Sequence, residues 1–142
     1  MPIPRKKTAR ASPEPRPSAR LDLARLGEKR AAEFFESIGY KIVAKNWRSR
    51  DTKNEIDLVV EDGRCLVFVE VKTARTLNYG DPITWITPRK QAAIVRAAKS
   101  YLAMIRPTHD EFRFDTITIT PPLKKDEVTL VHTKNAFYAR ES

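Results

Sequence analysis

The hairpin signature in residues 54–73 constrains this chain more than any other stretch. Its sequence, NEIDLVVEDGRCLVFVEVKT, places two apolar, alternating runs on either side of Asp62-Gly63. A two-residue primed turn requires positive φ, which an Asp-Gly pair adopts readily. We therefore expect an antiparallel hairpin with Asp62 and Gly63 as its loop, in which the numbers of paired residues sum to 125.

This register determines which side chains share a face of the hairpin. It places Asp57 opposite Phe68 and Glu55 opposite Glu70. Side chains alternate between faces, so one face carries the charged groups and one aromatic ring: Glu55, Asp57, Phe68, Glu70 and Lys72. The other face is apolar: Ile56, Leu58, Val60, Cys65, Val67, Val69 and Val71. Asp57 and Glu70 become diagonal neighbours, roughly 6–8 Å apart.

Carboxylates gathered on neighbouring strands have two interpretations. Like charges destabilise a sheet, and a bound divalent cation, which takes hard oxygen ligands, would remove the conflict while Lys72 neutralises the rest. The plainer interpretation is a solvated polar face with incidental ion pairs. An isolated Glu-x-Lys favours the plainer interpretation, whereas the addition of Asp57 on the same face favours the cation site. A slip of one residue in the register would reverse that inference.

Composition excludes several classes of protein. A chain of 142 residues favours one domain. No apolar run approaches the roughly 18 residues of a membrane span and no secretory segment is present, so we expect no membrane partner and a cytoplasmic location. The single cysteine, Cys65, excludes a disulfide framework and is expected to be a buried, inert thiol. Any metal must be held mainly by carboxylates, because one cysteine and two histidines cannot form a common structural zinc site.

The net charge of +9 favours a polyanionic partner, nucleic acid before membrane. Residues 1–20 hold one acid, Glu14, and six basic residues: Arg5, Lys6, Lys7, Arg10, Arg16 and Arg20. Residues 1–19 also hold five of the ten prolines and lack apolar periodicity. We therefore expect a disordered, basic arm at 1–19 and a single domain at 20–142. The arm is either an electrostatic tether for DNA or a solvated tail without a role.

Apolar periodicity and local start and stop signals predict the remaining elements. Helices are expected over residues 21–38, ended by Gly39, and from the Thr87-Pro88 cap to about residue 105. Further strands are expected over residues 41–47, 112–120 and 127–131. The loop at 76–86 carries Tyr79 and Trp85, which either anchor the loop or stack on bases.

The two helices carry candidate functional side chains beside their core stripes. Glu28 borders the buried face of the first helix, where it either pairs with a neighbouring arginine or points to a site over the sheet. Arg89 and Lys90 stand at the start of the second helix, where free N–H groups also attract phosphate. The expected stripes are Leu23, Gly27, Ala31, Phe34, Phe35 and Ile38 in the first helix and Ile94, Ala98, Leu102 and Ile105 in the second. Asp115 is expected to have a structural or supporting role, and we assign no chemistry to His109 and His132.

The element order α-β-β-β-α-β-β, with Asp57 and Glu70-Val71-Lys72, resembles the PD-(D/E)xK nuclease core of restriction-endonuclease-like folds. More closely, the chain resembles the YraN family, small bacterial proteins compared with archaeal Holliday-junction resolvases. Two positions depart from that family: Asn54 replaces a usual glycine, and Ala74 stands where arginine is frequent. The matching pieces are Gly27-Glu28, Asn46-Trp47-Arg48, Glu55-Ile56-Asp57-Leu58, Phe68-Val69-Glu70-Val71-Lys72, Tyr79-Gly80, Lys90-Gln91, Arg113-Phe114-Asp115 and Asn135-Ala136-Phe137.

The resemblance implies an α/β fold with a central mixed sheet of about five strands flanked by helices. It also implies a metal-dependent endonuclease acting on DNA rather than RNA, with branched DNA as one candidate substrate. Asp57, Glu70 and the Val71 carbonyl would hold Mg²⁺ or Mn²⁺, and Glu28 would reach in from the first helix. Lys72 would orient a water or offset developing negative charge.

Further assignments follow from the same resemblance. Glu55 is an additional site candidate, and four basic residues are candidate phosphate contacts: Arg48, Arg75, Arg89 and Lys90. A homodimer is expected by analogy with resolvases. Family members with arginine in place of the catalytic lysine leave an alternative open, a catalytically silent module that binds nucleic acid or a protein partner.

Overall fold

In the computed structural model, two helices cover opposite faces of a five-stranded mixed sheet, as predicted. The structure describes residues 17–74, 86–120 and 129–139. Their elements are α1 (Pro17–Ser37), β1 (Lys41–Arg48), β2 (Glu55–Asp62), β3 (Cys65–Thr73), α2 (Pro88–Ile105), β4 (Glu111–Thr120) and β5 (Thr129–Phe137). The strands lie in chain order across the sheet, and only β3 and β4 pair in parallel.

The helix ends follow local signals that the sequence carries. The Thr87 side chain accepts a hydrogen bond from the Lys90 backbone N–H at 3.2 Å, and Pro88 occupies the first helical position. Gly39 follows α1 with φ 90°, as expected for a residue beyond a helix end. α1 begins at Pro17, however, so its first residues lie inside the stretch predicted to be a disordered arm.

Two residues assigned to the helix stripes are not in the core. Ile38 is 46% exposed because α1 ends at Ser37, and Ile105 is 51% exposed at the last position of α2. Ile94 and Ala98 are buried as predicted.

The parallel pairing of β3 with β4 explains why β3 is buried on both faces. α2 connects these two strands and covers one face, while α1 covers the other. Phe68, predicted to share a polar face, is only 1% exposed because it packs under α2. The predicted burial of Cys65 is confirmed, and burial raises the pKa of its thiol.

The hairpin register differs from the prediction by two residues. Pairing of Asp62 with Cys65 leaves Gly63 and Arg64 as the loop, and Gly63 has φ 59°. Glycine at the first loop position is characteristic of type II′, one of the two turns favoured in two-residue hairpin loops. Paired numbers therefore sum to 127, so Asp57 lies one step beyond the last pair, Leu58 with Val69, rather than opposite Phe68. The expected pairing of Glu55 with Glu70 is likewise wrong.

A contact with another strand favours the position of Asp62 inside β2. Its carboxylate accepts a hydrogen bond from Arg113 on β4 at 2.8 Å. A loop position for Asp62 would give up a charge-assisted contact with a residue 51 positions away.

Candidate active site

A break in the alternation of β1 and β2 builds the candidate site. Ala44 and Trp47 pack in the same apolar cluster under α2, as do their pairing partners Val59 and Ile56. Residues three apart share a strand face only if the alternation is interrupted between them. In β1 the interruption is Asn46, whose φ of 50° is left-handed.

Because of this break, the side chain of Ile56 at the start of β2 lies on the face opposite to that predicted. Ile56 was expected to share a face with Leu58, but it packs under α2 while Leu58 packs under α1. The carboxylates of Glu55 and Asp57, on either side of Ile56, lie close to that of Glu28 on α1. The prediction that Ile56 and Leu58 share a face is wrong, because it assumed an uninterrupted strand.

Three carboxylates meet at this place. One carboxylate oxygen from each of Glu28, Glu55 and Asp57 lies within 4.8 Å of the others, and all three residues are half-buried. Glu28 accepts a hydrogen bond of 2.8 Å from the side-chain amide of Asn46. Glu55 pairs with Arg48 at 3.0 Å. The site therefore combines one side chain from α1 with two from β2.

Asp57 also contacts β3, at the residue that follows Glu70. Asp57 accepts a hydrogen bond of 2.8 Å from the backbone N–H of Val71, next to Glu70 on β3. Burial, followed by the charge of Glu70, raises the pKa of Asp57 to about 8. Burial also raises the pKa of Glu70, and the ammonium group of Lys90, 3.6 Å away, acts in the opposite direction. Burial therefore opposes ionisation of both carboxyl groups, and the charge of Glu70 adds to this effect at Asp57.

Comparison with known proteins places the chain in a family. Residues 27–119 match the family described as "Uncharacterised protein family UPF0102". The chain belongs to the UPF0102 family. The resemblance to the YraN family is thereby confirmed, because the two names denote the same family.

Individual UPF0102 proteins match most of the chain. A UPF0102 protein of Chlorobium limicola is 41% identical over 120 residues, covering 82% of this chain and 92% of that protein. A UPF0102 protein of Symbiobacterium thermophilum is 43% identical over 114 residues, covering 80% and 93%. One of Geobacter sulfurreducens is 43% identical over 111 residues, covering 78% and 84%.

The basic residues predicted for this UPF0102 site have different surroundings. Lys72 is exposed. Burial raises the pKa of Glu70, and the charge of Lys72 opposes this rise less strongly than the charge of Lys90 does. Lys90 forms an ion pair with the buried Glu70, and its predicted contact with phosphate stays a prediction. Arg48 is held by Glu55, whereas Arg89 is exposed at the start of α2. Arg75, Tyr79 and Trp85 lie outside the described residues.

Two contacts of the site were not anticipated from the sequence. The pairing of Lys90 with Glu70 joins residues 20 positions apart, and no local pattern indicates it. The contact of Asn46 with Glu28 had a usable signal, because asparagine is disfavoured in strands but tolerates the left-handed region. For Val71, the described contact is through its N–H, whereas the prediction used its carbonyl.

A separate, buried hydrogen-bond network joins β4 to β5. Asp115 is 0% exposed and accepts hydrogen bonds from Arg113 at 2.9 Å, His132 at 2.7 Å and the Asn135 N–H at 3.1 Å. Burial raises the pKa of Asp115, but these three donors outweigh it and lower the pKa overall. Arg113 also donates to the Tyr40 hydroxyl. Asp115 and His132 thus have a structural role in tying β4 to β5.

The carboxylate cluster fits a hard divalent cation in its donor chemistry. Glu28, Glu55 and Asp57 supply oxygen ligands of the kind that Mg²⁺ and Mn²⁺ prefer. Carboxylates held this close and half-buried repel one another, and a cation would relieve that repulsion. In the described part of this UPF0102 chain, no helix combines the length and apolar character needed to cross a membrane.

Proposed function

We propose that this UPF0102 protein is a metal-dependent endonuclease that hydrolyses phosphodiester bonds in DNA. The observation that carries the proposal is the convergence of Glu28, Glu55 and Asp57, whose carboxylate oxygens lie within 4.8 Å of one another. A surface used only for binding has no need of half-buried carboxylates whose pKa is raised by burial and by neighbouring acidic groups, as it is at Glu28 and Asp57. A cation site does, because burial strengthens its hold on the ion.

Each residue has a distinct task in this mechanism. The cation, Mg²⁺ or Mn²⁺, would be held by Glu28, Glu55 and Asp57. Glu70 would add a fourth carboxylate beside Asp57. The bound cation supplies Lewis-acid stabilisation of phosphate charge and activation of water. Lys72, exposed beside Glu70, would orient the attacking water or offset the negative charge of the transition state.

Charge on the rest of the surface supports a nucleic-acid substrate. The chain has a net charge of +9; Arg48 pairs with Glu55 of the site, and Lys72 and Arg89 are exposed next to Val71 and Lys90 in the chain. Such a field attracts a polyanion and neutralises phosphates on contact. Branched DNA is the substrate that the resemblance to resolvases implies, and a homodimer would match the two-fold symmetry of a four-way junction.

The test is a cleavage assay with Mg²⁺ or Mn²⁺ on duplex, single-stranded, flap and four-way-junction DNA. Asp57→Asn and Lys72→Ala are expected to lose roughly 100-fold or more in rate, as for removal of one stabilising group. Asp22→Asn and Lys99→Ala are matched controls, because both residues are exposed on helices and lie outside the site. These controls should cleave like the wild type.

Two outcomes would contradict the proposal. Undiminished cleavage by Asp57→Asn would show that the carboxylate cluster is not the site of the reaction. Binding of DNA without cleavage, in every metal and substrate, would instead favour the silent binding module.

A further inference from the structure

We propose that Asn46 is a positioning residue, which holds the Glu28 carboxylate in the candidate cation site. This inference rests on the proposed function of that site. Its direct observation is the hydrogen bond of 2.8 Å from the Asn46 side-chain amide to the Glu28 carboxylate. Asn46 belongs to β1 and Glu28 to α1, so the bond fixes a helix side chain to the sheet.

The carboxylate of Glu28 needs such a donor. Its oxygen lies within 4.8 Å of those of Glu55 and Asp57; burial raises the pKa of Glu28, and the charges of Asp57 and Glu55 act in the same direction. Without a partner, a glutamate at the border of a helix lowers its repulsion by rotating into solvent. Asn46 supplies a neutral donor, which restrains the side chain without adding a positive charge that would repel a cation.

The backbone of Asn46 contributes separately from its amide. Its φ of 50° is the left-handed region, which asparagine and glycine tolerate better than other residues. This conformation interrupts the alternation of β1 beside the pairs Trp47 with Ile56 and Lys45 with Leu58. Asn46 is thus opposite Asp57 in the register of the two strands, where the carboxylates of β2 lie close to Glu28 on α1. One residue shapes the strand and also restrains Glu28.

Substitution by glycine separates the two contributions. Asn46→Gly keeps the left-handed backbone and removes the amide, whereas Asn46→Ala removes the amide and strains the backbone. Asn135→Gly is the matched control, because Asn135 has a φ of 51° in β5 and its described contact is through the backbone N–H, to Asp115. The affinity of the full chain for Mn²⁺ is measured by titration calorimetry, and metal-free thermal unfolding is measured in parallel.

Asn46→Gly is expected to bind Mn²⁺ roughly 10-fold more weakly than the wild type, at the lower end of the effects seen when a residue that orients a ligand is lost. Its metal-free unfolding midpoint should match that of Asn135→Gly. Asn46→Ala should lose Mn²⁺ affinity and also unfold at a lower temperature. Asn135→Gly should bind Mn²⁺ like the wild type. Wild-type affinity in Asn46→Gly would overturn the inference.

A metal-free measurement keeps this inference separate from the proposed function. If the wild type bound no Mn²⁺, the proposed metal site would fail, and the Asn46 contact would be judged by NMR. Displacement of the Asn46 side-chain amide resonances by Glu28→Ala, but not by Glu36→Ala, would support the contact. Resonances that respond to neither substitution would overturn it.

Discussion

At the scale of single residues, Asp57 carries the strongest electrostatic conflict in the site. Burial and the neighbouring Glu70 raise its pKa from an ordinary 3.8 to about 8. The unfolded chain releases this proton near pH 4, whereas the folded protein retains it. Ionisation of Asp57 therefore costs folding free energy, and the cost grows as pH rises between these two values.

Replacement of the titrating group should reverse this dependence. In metal-free buffer with EDTA, Asp57→Asn is expected to unfold several degrees above the wild type at pH 8–9 and at a similar temperature near pH 4. Asparagine cannot ionise, but its side-chain oxygen can still accept the hydrogen bond from the Val71 N–H. Thermal unfolding across this pH range provides the measurement.

The exposed Asp22 offers a control for the loss of one negative charge. Asp22→Asn should show no pH-dependent gain over the wild type. A gain in Asp57→Asn that is the same at pH 4 and pH 9 would show that titration of Asp57 is not its cause.

At the scale of elements, the position of Glu28 depends on how closely α1 approaches β3. A Cβ atom built on Gly27 would lie 2.0 Å from the Thr73 hydroxyl oxygen and 3.2 Å from its Cβ. That hydroxyl is buried and has no hydrogen-bond partner among the described residues. Gly27 thus permits a contact between helix and strand that no larger residue allows, and Glu28 follows it directly.

Gly27→Ala is expected to destabilise the protein by about 1–3 kcal/mol, as for other overpacked contacts. The sign is informative, because the same change at an unhindered helix position gains about 0.5–1 kcal/mol. Urea denaturation measures the loss. Mn²⁺ affinity should also fall, since α1 must move away from β3 and take Glu28 with it.

A second substitution tests the cause. Thr73→Ala removes the hydroxyl that the new methyl group would meet, so the double variant Gly27→Ala/Thr73→Ala should recover much of the stability. Additive losses in the double variant would exclude the proposed clash.

At the scale of the whole molecule, positive charge is concentrated towards the amino terminus. The chain carries 27 basic and 18 acidic residues, for a net charge of +9. Residues 1–16 hold one acid, Glu14, and five basic residues: Arg5, Lys6, Lys7, Arg10 and Arg16. These residues lie outside the described part of the structure, so their role is open to experiment.

Deletion of residues 1–16 tests whether this segment contacts DNA. Each phosphate neutralised on duplex DNA contributes about 0.9 to the slope of log affinity against log salt. We expect the deletion to weaken binding to every DNA and to reduce that slope by up to about 4, with Mn²⁺ affinity unchanged. Fluorescence anisotropy over a range of salt concentrations measures both effects. An unchanged slope would identify the segment as a tail without a role in binding.

Local patterns predicted the parts of this molecule that depend on neighbouring residues. The Thr87-Pro88 cap, the end of α1 shortly before Gly39 and the order of the elements follow from hydrogen bonds and periodicities within a few residues. The carboxylates of the candidate site were also identified in advance, since Glu28, Glu55, Asp57 and Glu70 stand out in or beside apolar elements.

The tertiary structure decided how those carboxylates are arranged. The contact of Asp62 with Arg113 accompanies a hairpin register shifted by two residues, and Asn46 accompanies the position of the Glu55 and Asp57 carboxylates close to that of Glu28 on α1. Both depend on residues that are distant in the chain, so no periodicity along one strand could reveal them. Sequence alone determined which groups are available for the chemistry, because residue type sets charge and ligand preference. Only the packed fold determined which of them meet, because alternation along a strand holds until a contact from another element interrupts it.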